Sequence, residues 1–492
     1  MARPSTQWLA SLFLLSAVIS SAPYASAADA PDRQETLALI QTHYQKAKLR
    51  DGDHRAIEAA AVSARNAVDV AESVLGVKVS ATAGSFITDR TEAQPSNRLE
   101  SESDRQFTSS QMTVSARKPL YRRKDQLSVE QVRSRYQSAQ ALVEASEQRL
   151  FAKVVMAWVE VLVSRDRLLT ASESERRATI VRQESERRLQ AGETSADLLA
   201  LEMSREIARQ ADVQDARVRL GIAERMLKDL AGDDAVIPEI FSLAQIMLAP
   251  INDQSEEELT VQIERDHPEL RSFRHLEDAA LIEREKASAE RYPTVDGYIT
   301  ASKGENDTAT YIRDERRIGV QVVVPLYTSG LIPAALAQTE AELEKSRAMT
   351  AAATTRLKTV GVNSLSRLHA SRARLASSHF QLKASAVHIR SVEGAYLAGS
   401  TTRADLARAE LDYLQYRQQH GDYVVQYTQS WLDLHTATSR MFSSPLLASP
   451  ADSGAVIPSV QLISTTSASA RRSSESCARV ADDNLMGRAQ CQ

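Results

Sequence analysis

One phrase occurs twice in this chain, and the repetition limits what the chain can become more than any other feature. Leu189–Glu202 reads LQAGETSADLLALE and Leu397–Glu410 reads LAGSTTRADLARAE. Glycine ends helices because it takes the left-handed backbone conformation without a steric penalty, so Gly192 and Gly399 each read as a helix stop. Thr194 stands three residues before Asp197, and Thr402 three before Asp405. That spacing predicts a capping box, in which the threonine hydroxyl accepts from a free amide of a new helix while the acid reaches back. Each copy is therefore expected to be the tip of a helical hairpin.

The repeat extends beyond the tips. Pro-Leu-Tyr occurs at Pro119–Tyr121 and again at Pro325–Tyr327, 206 positions apart, against 207 for the two glycines. Two landmarks that keep their separation to within one residue indicate an internal duplication. The segments between them have helical period. Leu368, Leu375, Leu382, Ile389 and Tyr396 fall seven apart. Val132, Tyr136, Ala139, Val143, Leu150, Ala157, Val161 and Leu168 follow steps of three, four or seven, interrupted at Ser146 and Lys153. After the second tip Leu406, Tyr413, Tyr427 and Leu434 keep the register, with His420 in the missing place. Such heptads predict coiled-coil packing, and a helix of about 70 residues would reach roughly 105 Å.

Alternating segments precede each long helix. Val77–Ile87 and Phe107–Ala116 in the first half, and Thr294–Ser302 and Ile318–Tyr327 in the second, read as strands. Ile318, Val320, Val322 and Val324 share one face. Alternation over about 9 to 11 residues suits a membrane-spanning β-strand, and the charged stretches 88–106 and 303–317 read as loops outside the membrane. A water-soluble hairpin is the competing reading. Four strands cannot close a barrel, so spanning strands would require several copies of the chain; three would supply twelve.

Composition narrows the rest. Sixty basic residues against 64 acidic ones give no reason to expect nucleic acid as partner, and 5% aromatics with 16 glycines suits long helices. Residues 1–27, with Arg3, an apolar run and Ala25-Ser26-Ala27, are expected to be a secretory signal peptide. The most apolar later stretch, Val154–Val163, is too short to cross a bilayer and carries Glu160. Cys477 and Cys491 are the two cysteines, so no disulfide framework or cysteine-rich metal site is expected. No HExxH, Walker loop or GxSxG motif is present, no His, Cys or acidic cluster has ligand spacing, and no cofactor is expected. His267 and His275 lack a third ligand and read as surface residues.

The order and duplication of these signals, with HPELRS at His267 before RYPTVDGY at Arg291, resembles the TolC-like outer membrane efflux proteins over about Leu37–Met441. The resemblance implies a largely α-helical protein with membrane β-structure. It implies internally duplicated long helical hairpins forming a coiled-coil periplasmic tunnel, with four strands per protomer in a trimeric twelve-strand outer membrane barrel. It implies a non-enzymatic exit duct for proteins or small toxic compounds. The expected partners are a periplasmic adaptor, an inner-membrane ABC or proton-driven transporter, and outer membrane lipid. The lack of a lipid-anchor cysteine after the signal segment tilts this reading toward type I protein secretion.

The halves are expected at 28–232 and 256–442, with tips near 190–197 and 397–405, a connecting segment at 233–255 and a tail from 443 to 492 whose Ser-, Ala-, Pro- and Arg-rich composition predicts disorder. By the same resemblance Asp197 and Tyr396 form a periplasmic gate lock. Thr401 stands where an arginine is expected and Arg403 is the substitute. Asp405 lies at the entrance ring, while Arg408 occupies the position of a second acid. Pro119 and Pro325 mark the barrel–helix junctions. The competing reading is a soluble periplasmic coiled-coil scaffold without a pore.

Overall fold

The computed structural model describes residues 33–93, 102–235, 255–306 and 312–441. The signal segment, most of the 233–255 connection and the tail with Cys477 and Cys491 lie outside the described residues. Each half runs through two short helices, a β-hairpin and a long helical hairpin. In the first half these are α1 (Arg33–Arg50), α2 (Gly52–Val74), β1 (Lys78–Ala93), β2 (Glu102–Tyr121), α3 (Arg123–Gln190) and α4 (Ala196–Ala231). In the second they are α5 (Glu256–Asp266), α6 (Pro268–Ala289), β3 (Thr294–Asn306), β4 (Ile312–Val323), α7 (Leu331–Leu397) and α8 (Arg403–Thr438). The leading helix of each half is thus broken in two. Asp51 caps α2, its carboxylate accepting from the His54 amide. His267 caps α6 with Pro268 in the first turn, so it is buried at a helix start rather than on the surface; His275 is half-exposed beside Asp278.

α3 and α7 have 68 and 67 residues, about 100 Å each. The helices meet in one core around the middle of the molecule, where Trp158 and Trp431 are fully enclosed with Val154, Leu227, Leu259, Ile263 and Leu270. The apolar stretch Val154–Val163 is the core segment of α3. No helix among the described residues is long and apolar enough to cross a membrane.

The interruptions in the heptad pattern are polar pairs between helices. The Ser146 hydroxyl meets His54 Nδ1 at 2.8 Å, joining α3 to α2, and Ser378 meets His420 Nδ1 at 2.8 Å, joining α7 to α8. Lys153 reaches Asp51 at 2.7 Å. On α7 Ser364, Ser371, Ser378 and Ser385 are buried seven apart, and the last three each donate to the carbonyl three residues back. Satisfied in this way, a small hydroxyl lets a neighbouring helix approach without an unpaired polar atom.

The four strands form one antiparallel sheet in the order β1-β2-β3-β4. Its register sorts the residues into two faces. Val79, Ala81, Ala83 and Ile87 align with Met112, Val114 and Ala116, then with Ile299 and Ala301, then with Ile318, Val320 and Val322. The other face carries Lys78, Ser80, Thr82, Gln111, Thr113, Ser115, Arg117, Thr300, Ser302, Arg317 and Gln321. There Ser80 and Ser115 are joined at 2.9 Å, and Arg117 donates to Gln321.

The strands extend beyond their alternating cores. Residues 88–93, 102–106, 303–306 and 312–317, read from sequence as loop, continue the ladders, because backbone pairing persists after the apolar band ends. β4 starts at Ile312 and stops at Val323, so Val324, Pro325, Leu326 and Tyr327 fall outside it. Pro119 lies inside β2, which runs on to Tyr121 because β3 pairs with it there. β4 lies at the edge of the sheet, where no second strand among the described residues extends it. At the first junction Arg122 grips Asp296 with both nitrogens, at 2.8 and 2.6 Å. The second junction turns through Ser329 and Gly330, both with positive φ.

Candidate gate at the hairpin tips

Both tips close by the same backbone device. At the first, the Gly192 amide donates to Leu189 O (3.0 Å) and the Glu193 amide to Arg188 O (2.8 Å), with Gly192 at φ 72°. At the second, Gly399 donates to Tyr396 O (3.0 Å) and Ser400 to Ala395 O (2.9 Å), with Gly399 at φ 74°. This is the double carbonyl capture of a Schellman end, and it requires the left-handed residue in the middle.

The helix starts differ from each other. Thr402 caps α8 in a complete box: its hydroxyl accepts from the Asp405 amide at 3.2 Å, and Asp405 Oδ2 accepts from the Thr402 amide at 3.1 Å. In the first tip the cap is Ser195, which accepts from the Leu198 amide, and not Thr194. The reason is geometric. The turn places the cap three residues after each glycine, and the first copy is one residue shorter between glycine and aspartate. Asp197 therefore sits one position earlier in its helix than Asp405 does and cannot answer the cap. It is exposed and makes no hydrogen bond or ion pair among the described residues. Ser195→Ala is expected to cost about 1 kcal/mol and Thr194→Ala close to nothing, read by chemical denaturation. Equal costs would restore the capping role to Thr194.

Within one chain no hydrogen bond joins Asp197 to Tyr396, which is partly exposed on the last turn of α7. The Thr401 hydroxyl is enclosed without a partner, and Arg403 is exposed and unpaired among the described residues. Arg408 is the connected residue. It reaches Asp405 at 3.3 Å on its own helix and Glu202 at 3.6 Å on α4, so it ties the second hairpin to the first. Glu202 is 5% exposed and also holds Arg205 at 2.8 Å. Hydrogen bonds from the Thr402 hydroxyl and amide hold the Asp405 carboxyl below its ordinary range, so the second tip keeps this negative charge at neutral pH.

Above the tips the charges continue in pairs between helices. Arg177 on α3 meets Glu410 on α8 at 2.9 Å, and Arg182 on α3 meets Glu206 on α4 at 2.6 Å. Burial pushes the Glu410 carboxyl up, outweighing the attraction of Arg177. Higher still, three successive residues of α3 each find a different partner: Arg165 with Glu224, Asp166 with Arg417, and Arg167 with Asp422.

Comparison with known proteins agrees with this architecture. Residues 259–440 match the family model for outer membrane efflux proteins. The alkaline protease secretion protein AprF of Pseudomonas aeruginosa is 26% identical over 265 residues, which are 51% of this chain and 53% of AprF. The match thus spans about half the length of that curated relative. Among solved structures, the CmeC outer membrane channel of Campylobacter jejuni superposes with a TM-score of 0.68 at 13% identity, over 86% of this chain and 94% of CmeC. The outer membrane protein VceC of Vibrio cholerae gives 0.66 at 15% identity, over 82% and 96%. The chain carries the outer membrane efflux protein domain on a TolC-like fold. The solved structures that share this fold are outer membrane proteins, CmeC among them a channel.

Sequence reading of the tips found the glycines and the aspartates but missed Glu202 and Glu410. The signal was present. The two phrases ADLLALE and ADLARAE both end in glutamate five residues after the aspartate, and these are the two acids that bridge to other helices.

Proposed function

We propose that three copies of this chain form an outer membrane exit duct, with the strands closed into a twelve-strand barrel and the hairpin tips as the periplasmic entrance. The observation that carries this reading is the sheet. Its apolar face lies open in the single chain, with Val79 68%, Ile87 72% and Ile318 82% exposed, while its opposite face is mostly polar, with Phe86 and Val323 as exceptions. An outward apolar band over a polar interior is what a closed barrel in lipid requires, and a soluble scaffold would have no use for it. The long helical hairpins run from the same sheet and provide a path of about 100 Å toward the inner membrane.

The cargo is a secreted protein, on the support of the likeness to AprF, whose name is that of a protease secretion protein. The partners are a periplasmic adaptor and an inner-membrane ABC transporter docking at the tips. Asp197 and Tyr396 act between chains at the entrance, and Asp405 lends it negative charge. The test is single-channel recording of the detergent-extracted protein in a planar bilayer, beside fractionation of cell membranes. Discrete conductance steps from outer membrane protein are expected. A folded trimer that conducts nothing would leave a periplasmic scaffold.

A further inference from the structure

A cavity of about 330 Å³ lies where α8 ends and α6 begins, walled by α3, α6, α7 and α8. We propose that it binds a small organic carboxylate, with Arg149 and Arg367 holding the charged end and the apolar end resting on Pro268, Leu357 and Ala437. This adds a ligand site to the exit-duct reading and does not depend on the chain forming a trimer.

The floor of the cavity is polar and unanswered. Gln148 on α3 and Ser364 on α7 line it at 9% and 3% exposure, and neither side chain makes a hydrogen bond among the described residues. A buried amide or hydroxyl without a partner is destabilising unless water or a ligand supplies the bond. Ser364 is the exception in its row, because Ser371, Ser378 and Ser385 each donate to a carbonyl of their own helix. His267 also lines the cavity, and its Nδ1 accepts from the Glu269 amide at 3.2 Å. Burial pushes its imidazolium down, with Glu269 opposing and Arg149, Arg356 and Arg271 adding to the effect. The neutral ring therefore carries its proton on Nε2, as a further donor.

Charge selects the ligand. Arg149, Glu269, Arg367 and Asp433 line the cavity, and Glu269 is paired with Arg356. The other three form no ion pair among the described residues. Asp433 is half-buried, which pushes its carboxyl up, and Arg367 is the cation that opposes this. Setting Asp433 against one arginine leaves one positive charge over. That excess suits a monoanion, and a carboxylate fits the guanidinium fork with two parallel hydrogen bonds. A phosphate monoester, at about −1.5 to −2 near neutral pH, exceeds it. The start of α6 at the cavity adds attraction for negative charge.

The remaining walls suit the rest of such a ligand. Pro268, Leu357 and Ala437 are buried and apolar. The volume sits at the small end of ligand pockets, which run from about 300 to 1,000 Å³. A ligand here touches four helices at once. Because α3 belongs to the first half and α6, α7 and α8 to the second, it braces the joint between the halves and stabilises the folded chain by mass action.

The test is fluorine NMR of para-fluorobenzoate added to the folded full chain in detergent near neutral pH, beside para-fluorobenzylamine as the cationic match. The anion is expected to shift and broaden saturably, and the amine to show only what it shows with empty micelles. Arg149→Gln combined with Arg367→Gln should weaken benzoate binding at least tenfold. Arg225→Gln, at an exposed arginine of α4 away from the cavity, should leave it unchanged. Asp433→Asn removes the opposing charge and should strengthen binding several-fold, an outcome that damage to the fold cannot produce. Should the double variant not fold, Arg149→Gln alone, at an exposed residue, carries the same comparison. Benzoate that binds the arginine variants as well as the parent, or an amine that binds as tightly as the anion, overturns the site. So does a folded parent that binds no benzoate, or an Asp433→Asn variant that binds it no more tightly than the parent. The exit-duct reading is tested by conductance and stands or falls apart from this result.

Discussion

In the proposed duct, replacing Arg408 with alanine is expected to favour an open entrance. Arg408 is the side chain that crosses from α8 to α4 at the tips, joining Asp405 and Glu202. Its guanidinium is partly exposed, so its coupling belongs near the top of the surface range, about 1 kcal/mol per chain. A trimer whose tips move together would lose three such couplings, roughly 3 kcal/mol, which shifts the closed-to-open ratio by about a hundredfold. Single-channel recording reads this directly, as larger or longer openings. Arg403→Ala, at an exposed residue with no ion pair among the described residues, serves as the control and should change nothing. Unchanged conductance in Arg408→Ala would reduce the Arg408–Glu202 contact to a brace of the tip. Asp197→Ala, tested beside it, separates a lock between chains from this link within one.

The second large effect is sensitivity to acid. His420 and His435 are buried in the second half, and burial is the main cause that pushes each of them down to about 4. His420 is held by Ser378, with the His379 ring 6.4 Å away lowering it further and Asp166 opposing. His435 stacks on Trp431 at 3.6 Å and donates from Nδ1 to the Trp431 carbonyl at 2.9 Å. Both are bases whose folded pKa lies below the unfolded value near 6.5, so the unfolded chain binds the proton first. Their contribution to stability is complete above about pH 6.5 and drains as pH falls toward 4. At pH 5 each has lost about 2 kcal/mol, at about 1.36 kcal/mol per unit, before most carboxylates begin to protonate. Thermal denaturation at pH 7.5 and 5.0 should show a clear fall in midpoint, and His420→Asn with His435→Gln should flatten it. Equal midpoints for the parent protein at the two pH values would show that neither histidine titrates on unfolding as its burial requires.

These two sites differ in how far they could be read beforehand. His420 stood out as a break in a row of apolar residues seven apart, yet nothing near it in sequence named Ser378, 42 positions away, as its partner. Ser146 and His54 repeat that situation across 92 positions. The serine row on α7 has the same heptad spacing as the leucines beside it, but serine carries no strong helical signal and reads as interruption. Arg408 was noticed only as a departure from an acidic pattern. Its partner Glu202 lies on another helix of the other half. The cap at Ser195 was missed by one residue because the threonine–aspartate spacing looked the same in both tips.

What the sequence determined by itself is everything a window of neighbours can encode. The glycine stops, the heptads of α3 and α7, the alternation in the strands and the duplication each follow from backbone preference and side-chain period, which act between residues a few positions apart. Tertiary structure alone decided where β4 ends, which tip acid is free, and which charges are paired. Those outcomes depend on partners far along the chain or beyond its edge. A strand lasts as long as its neighbour does, a cap sits where the turn leaves it, and a buried polar group is stable only opposite the one side chain that satisfies it.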